Sequence, residues 1–157
     1  MKICDILKEE KIISDFKGKN KEEVINQLID LFKDDQRVND LEKVRTAVLE
    51  REKIMSTGVG NGFAIPHGKT EGVNEIIAGF ARIPDPIDFQ ALDDQPVNLV
   101  FLLVGKENLV GPHIKLLSRI SRMMNKEQFR NDLINADSAA RIYEIFQNEE
   151  KNYFDIT

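Results

Sequence analysis

The chain has 157 residues with 22 basic against 27 acidic side chains, a net charge of −5. That balance provides no basic face to displace counterions from phosphates, so a nucleic-acid partner is excluded. With 41% hydrophobic and 31% charged residues it has the composition of an ordinary soluble domain, and the mature core needs neither disulfide nor structural metal.

The single cysteine, Cys4, has no internal partner for a disulfide and fits a reducing compartment. The opening Met1-Lys2-Ile3-Cys4-Asp5 carries no apolar leader, and the longest apolar run, Leu99 to Val104, is too short to cross a bilayer. These features predict one domain over residues 1–157, located in the cytoplasm and not inserted in a membrane.

Along the chain, Ile12 to Phe16 reads as a short strand. Asn20 with Glu23 forms a helix cap and its reciprocal acid, and Val24, Leu28, Ile29, Leu31 and Phe32 follow at helical spacing. Asn39 with Glu42 is a second cap candidate, opening a helix from Asp40 to about Lys53 with Leu41, Val44, Val48 and Leu49 on one face. The segment Ser56 to Gly68 differs from its surroundings, holding Gly58, Gly60, Gly62 and Gly68, four of the nine glycines. Such density points to backbone held in special conformations.

Strands are predicted at Glu75 to Ile83 and Val97 to Val104, the second apolar enough to be buried on both faces. Pro84 and Pro86 should break the chain between them, and Asp93-Asp94-Gln95-Pro96 reads as a turn. Pro112 suits the first turn of a helix whose core stripe would be Ile114, Leu117, Ile120 and Met124. Helices over Lys126 to Ile134 and Ser138 to Gln147 follow, with the polar tail from about Asn148 expected to fray. The order of elements predicts an α/β layer fold, a mixed central sheet flanked by helices.

Two histidines carry the candidate chemistry. His67 lies between Pro66 and Gly68, flanks that present an imidazole rather than pack it. Its neutral ring nitrogen is a nucleophile near neutral pH. His113 falls in the first turn of a predicted helix, where unpaired N–H groups attract anions. Arg51, near the end of the preceding helix, has the planar fork that grips a phosphate. A bland reading stands beside each: an incidental histidine in a turn, a packed histidine, a solvated helix end.

The glycines match no P-loop, and no Gly-x-Ser-x-Gly elbow is present. A zinc site built on His67, His113 and an acid is formally open, and with it a metal-dependent hydrolase.

The stretch Glu50-Arg51-Glu52, then Ser56-Thr57-Gly58-Val59-Gly60-Asn61-Gly62-Phe63-Ala64-Ile65-Pro66-His67-Gly68, resembles the active-site signature of the enzyme IIA domains of the bacterial phosphotransferase system. The branch is the one holding the fructose, mannitol and nitrogen-regulatory members. The likeness continues through Asp93 to Val104 and Pro112-His113-Ile114 to about Phe146. Phe63 is a departure, standing where the family more often has an aliphatic residue.

The resemblance implies a single-domain sandwich of the fructose/mannitol enzyme IIA type and a phosphocarrier function. A phosphorylated carrier, HPr or its nitrogen-type relative, would donate to His67, on Nε2. His113 and Arg51 would steady the phosphate. The group would then pass to an enzyme IIB, or the phosphorylated state would regulate another protein. The nitrogen-regulatory reading is modestly favoured over a dedicated sugar-transport enzyme IIA. No metal or organic cofactor is implied.

Overall fold

A computed structural model describes residues 1–156. The chain begins with a short helix α1 (Ile3–Ile6) running into strand β1 (Leu7–Ile13), then helices α2 (Lys21–Asp30) and α3 (Leu41–Ile54). Three short strands follow: β2 (Gly58–Gly60), β3 (Phe63–Ala64) and β4 (His67–Lys69). Two long strands, β5 (Ile77–Ile87) and β6 (Val97–Gly105), precede helices α4 (Val110–Met124), α5 (Glu127–Ile134) and α6 (Ala139–Glu150). The sheet is mixed, in the order β1-β5-β6-β3-β2, with β4 also pairing β6. β5 runs antiparallel to β6, whereas β3 and β4 run parallel to it.

Strand β6 organises the core. Leu99, Phe101 and Leu103 point to one face, into a cluster with Phe80, Leu116, Ile120, Phe129 and Phe146. Val100, Leu102 and Val104 point to the other, against Val24, Leu28, Val44 and Val48 of α2 and α3. An almost unbroken apolar strand is what a sheet covered on both faces requires. On the first face, Phe146 meets Phe80 and Phe129 edge-on, each with centroids 5.2 Å apart. Such pairs add about 0.5–1.5 kcal/mol beyond the area they bury.

The local signals hold in part. Asn20 caps α2 by accepting from the Glu23 N–H, but the reciprocal Glu23 carboxylate takes the Lys19 N–H instead of closing on Asn20. At α3 the cap is Asp40, which accepts from the Lys43 N–H at 3.2 Å. The expected cap Asn39 instead donates to the Glu71 carbonyl and the Asn74 side chain, tying the helix entry to the turn ahead of β5. The first strand starts earlier than expected, at Leu7, because it pairs with β5 from Ala78 onward.

Three expectations need correction. Pro84 and Pro86 do not end β5, which reaches Ile87. The ladder to β6 skips from Arg82 to Ile87, so the exposed prolines owe no ladder hydrogen bond there. The expected core stripe of α4 holds at Ile120 and Met124 and partly at Leu117, but Ile114 is 58% exposed, and Leu116 and Met123 are buried beside them. His113 and Arg119 occupy inward positions of that helix. The tail also departs from the expected fraying. α6 continues to Glu150, Ile156 is buried, and its N–H bonds the Met1 carbonyl.

Candidate functional site

Gly68 sets the position of the first histidine. A Cβ there would lie 3.2 Å from backbone atoms of Ala47 and Val48, so only glycine lets β4 sit flush against α3. That contact puts the last turns of α3, with Arg51, beside His67. Ahead of β4, Asn61 and Gly62 take positive φ of 57° and 79°, turning β2 back onto β3. The Asn61 N–H is anchored by the Asp93 carboxylate. The glycine density of this segment thus serves a tight hairpin and a close helix approach.

His67 is partly exposed. Its Nδ1 lies 2.8 Å from the Ile65 carbonyl oxygen. A carbonyl can only accept, so Nδ1 carries the hydrogen and Nε2 keeps the free lone pair. Burial lowers the His67 pKa; the hydrogen bond to the Ile65 carbonyl pulls it partly back, and the remaining charges act in both directions, Arg51 and Lys69 lowering it and Glu52 raising it. The ring is therefore neutral and nucleophilic at neutral pH.

His113 approaches from the other side. β6 ends at Gly105 beside β4, and the following loop delivers the first turn of α4. The two imidazole centroids are 5.8 Å apart with planes tilted by 51°. His113 is 3% exposed, and neither ring nitrogen has a hydrogen-bond partner among the described residues. Burial, with neighbouring His67 and Lys69, pushes its pKa down to about 4. Gly105 forms its seat: a Cβ there would stand 2.9 Å from His113 Nδ1.

Arg51 is half-buried, and one arm of its guanidinium donates to the Met55 carbonyl at 2.8 Å, folding the side chain over the end of α3. The rest of the fork has no partner among the described residues. All three sequence-derived candidates therefore converge. Exposed apolar side chains follow Arg51 and flank His113 in the chain: Ile54 and Met55 after the first, Leu109, Val110 and Ile114 about the second. Among the described residues no group of three or more His, Cys, Asp or Glu side chains comes together as a metal site.

The sequence reading missed Gly105 and Glu52. Gly105 has no local signal, because its neighbour His113 is eight positions along and met only in space. Glu52 sat in view within Glu50-Arg51-Glu52, but nothing in a charged helix end marks which acid turns inward. It is 5% exposed and accepts from the Thr57 N–H and hydroxyl.

The open mixed sheet thus carries a partly exposed, neutral histidine with a second imidazole 5.8 Å away and an arginine whose charge reaches it. The chain belongs to the family described as phosphoenolpyruvate-dependent sugar phosphotransferase system, EIIA 2, whose model matches residues 5–149. It is 35% identical to the fructose-specific EIIABC component of Bacillus subtilis, over 96% of this chain but only 24% of that longer protein. It is 36% identical to a nitrogen regulatory protein of Bradyrhizobium diazoefficiens, over 92% of this chain and 94% of that one. The crystal structure of nitrogen regulatory protein IIA-Ntr from Neisseria meningitidis superposes with a TM-score of 0.85 at 31% identity, covering 92% of this chain and 98% of that one.

Proposed function

We propose that this protein takes a phosphoryl group from phosphorylated HPr, or a nitrogen-type HPr, onto Nε2 of His67 and hands it on in the cytoplasm. The observation that carries this reading is the Ile65 carbonyl on Nδ1, which leaves the opposite nitrogen as the nucleophile. In the transfer the Nε2 lone pair attacks phosphorus in line as the donor's P–N bond breaks, and the donor nitrogen recovers its electron pair. The transition state is loose and needs mostly positioning and charge stabilisation. Arg51, with its unbonded guanidinium N–H groups, supplies positive charge to the phosphoryl oxygens, and neutral His113, with no partner on either nitrogen, has one N–H free to donate to them.

The exposed apolar side chains of Ile54, Met55 and Val110, near Arg51 and His113 in the chain, are available to a docking protein donor or acceptor. Downstream, the acceptor is an enzyme IIB or the phosphorylated state itself controls a regulated protein. The match over nearly the full length of a nitrogen regulatory protein favours the regulatory reading. The 35% identity to a fructose-specific component keeps sugar transport as the second reading.

The test is incubation with radiolabelled phospho-HPr and phospho-nitrogen-type HPr in parallel, followed by candidate enzyme IIB acceptors. Acid-labile, base-stable label on one residue, His67, is expected. Label on another residue refutes the acceptor assignment, and rapid onward transfer to an enzyme IIB decides for transport.

A further inference from the structure

Glu52 has no part in the chemistry just described, yet its carboxylate is the most buried acid near the site. A carboxylate removed from water is destabilised unless donors surround it. Here three do: the Thr57 N–H at 2.9 Å, the Thr57 hydroxyl at 2.5 Å, and the Lys21 ammonium at 3.4 Å. Lys21 is the first residue of α2, so one carboxylate joins two helices to the segment leaving α3.

The bonds continue past Thr57. Its carbonyl accepts the Ile65 N–H at 3.1 Å, and the Ile65 carbonyl is the acceptor for Nδ1 of His67 at 2.8 Å. A buried charge is therefore connected to the imidazole through two residues, each held on both its N–H or side-chain side and its carbonyl side. We propose that Glu52 is a positioning residue for phosphoryl transfer, which through Thr57 and Ile65 holds the carbonyl that fixes the His67 tautomer and aims Nε2 outward. The inference rests on His67 being the acceptor, and it assigns Glu52 no contact with the phosphate.

The neighbourhood supports this over a purely structural role. Val59, just past the anchored turn, is 46% exposed, and β2 is the edge strand of the sheet. The 89–92 loop holds the segment on its outer side, through the Leu92 N–H on the Gly58 carbonyl and the Ser56 hydroxyl on the Phe89 carbonyl, and the Glu52 carboxylate holds it at Thr57, the residue bonded to Ile65. Arg51, one residue earlier on α3, shares the same rigid turn. Glu52 therefore sets both the ring and the cation in one frame.

Three variants test it with two readouts: imidazole nitrogen NMR of His67, which reports the tautomer without any donor, and the rate of phosphoryl acceptance. Glu52→Gln keeps an acceptor for the Thr57 N–H and a partner for its hydroxyl, so tautomer and rate should stay within about threefold of wild type. Glu52→Ala removes both anchors; the His67 tautomers should mix and acceptance should slow about tenfold or more, as loss of orientation does.

A folded Glu52→Ala protein with native tautomer and native rate overturns the proposal. So does a Glu52→Gln protein as slow as Glu52→Ala with its tautomer unchanged, because charge and not the bonded chain would then be the link. Should Glu52→Ala fail to fold, Thr57→Val removes the hydroxyl bond alone and should give a partial tautomer mixture with acceptance slowed about threefold; native behaviour in both readouts refutes the chain. A wild-type protein that takes no phosphate refutes the acceptor assignment instead, and the NMR readout tells the two failures apart.

Discussion

His113 and Glu150 are equally buried, each 3% exposed, and lie on opposite flanks of the same helical layer. Their surroundings differ completely. The Glu150 carboxylate accepts from the Ile3 and Cys4 N–H groups of α1 and from the Arg119 guanidinium at 3.2 Å. His113 has nothing on either nitrogen among the described residues. Native proteins seldom leave buried polar atoms unpaired. The Glu150 carboxylate fastens α1 to α6 and α4, with only Nε of its partner Arg119 left over; His113 has both ring nitrogens unpartnered, which suits the phosphate contact proposed for it. α4 carries both kinds of polar burial, Arg119 in the fastening and His113 at its first turn facing His67.

That contrast can be broken by substitution. His67→Ala should abolish labelling by phospho-HPr while the circular dichroism spectrum stays native; persistent label would remove the site from this end of the sheet. Glu150→Ala should lower unfolding free energy by about 3–5 kcal/mol, because it strands a buried guanidinium. Urea denaturation measures it, and phosphoryl acceptance per folded molecule should be unchanged. His113→Ala should do the reverse, slowing acceptance about a hundredfold with little loss of stability, as removal of one charge-stabilising donor does. Equal stability losses in the last two variants would erase the distinction drawn between them.

How much of this was legible in the sequence depends on the reach of the signal. His67 was marked by its immediate flanks, Pro66 and Gly68, and β6 by its own apolar run, so both could be read in place. Asn39 was misread as a cap because Asp40, one residue on, has the same chemistry, and the choice was made by a bond from Asn39 to Asn74. On α4 the sequence marks Ile120 and Met124 correctly but puts Ile114 in the core, because the inward positions near it belong to a histidine and an arginine that do not look like core. Glu52 and Gly105 were invisible for a different reason. Gly105 meets His113 only once β6 and α4 are in place, and Glu52 meets Thr57 only where the chain turns after α3, a turn that a charged helix end does not announce.

Gly105 supplies a subtler test, because it touches the site without any functional group. Gly105→Ala places a methyl 2.9 Å from His113 Nδ1, and the ring has to give way. The expected result is a drop of about tenfold in acceptance rate, consistent with displacing a group that stabilises the transition state by a fraction of an ångström. Unchanged affinity for the donor should accompany it, measured as KM against kcat. A fall in affinity alone would mean that the loop before α4 serves docking and that the seat of the ring is unimportant.

The smallest effect concerns protons. An imidazole in the unfolded chain binds one near its ordinary value of 6.5, whereas folded His113, facing His67 and Lys69 in a dry site, binds one only near 4. Between those values the unfolded state holds more protons, so stability falls as pH falls. Above 6.5 both states are neutral and His113 contributes no slope; below 4 both are charged and the loss is complete. His67 shifts in the same direction, through burial first, and adds to the slope; the Ile65 carbonyl and Glu52 oppose the shift, and Arg51 and Lys69 support it. Urea midpoints at pH 7, 6 and 5 should therefore decline, by about 1 kcal/mol per pH unit at the steepest from His113. In His113→Gln, which packs a similar volume but cannot take the proton, the decline should become shallower over that window. A variant with the wild-type slope would show that His113 is already paired in solution and does not wait for an anion.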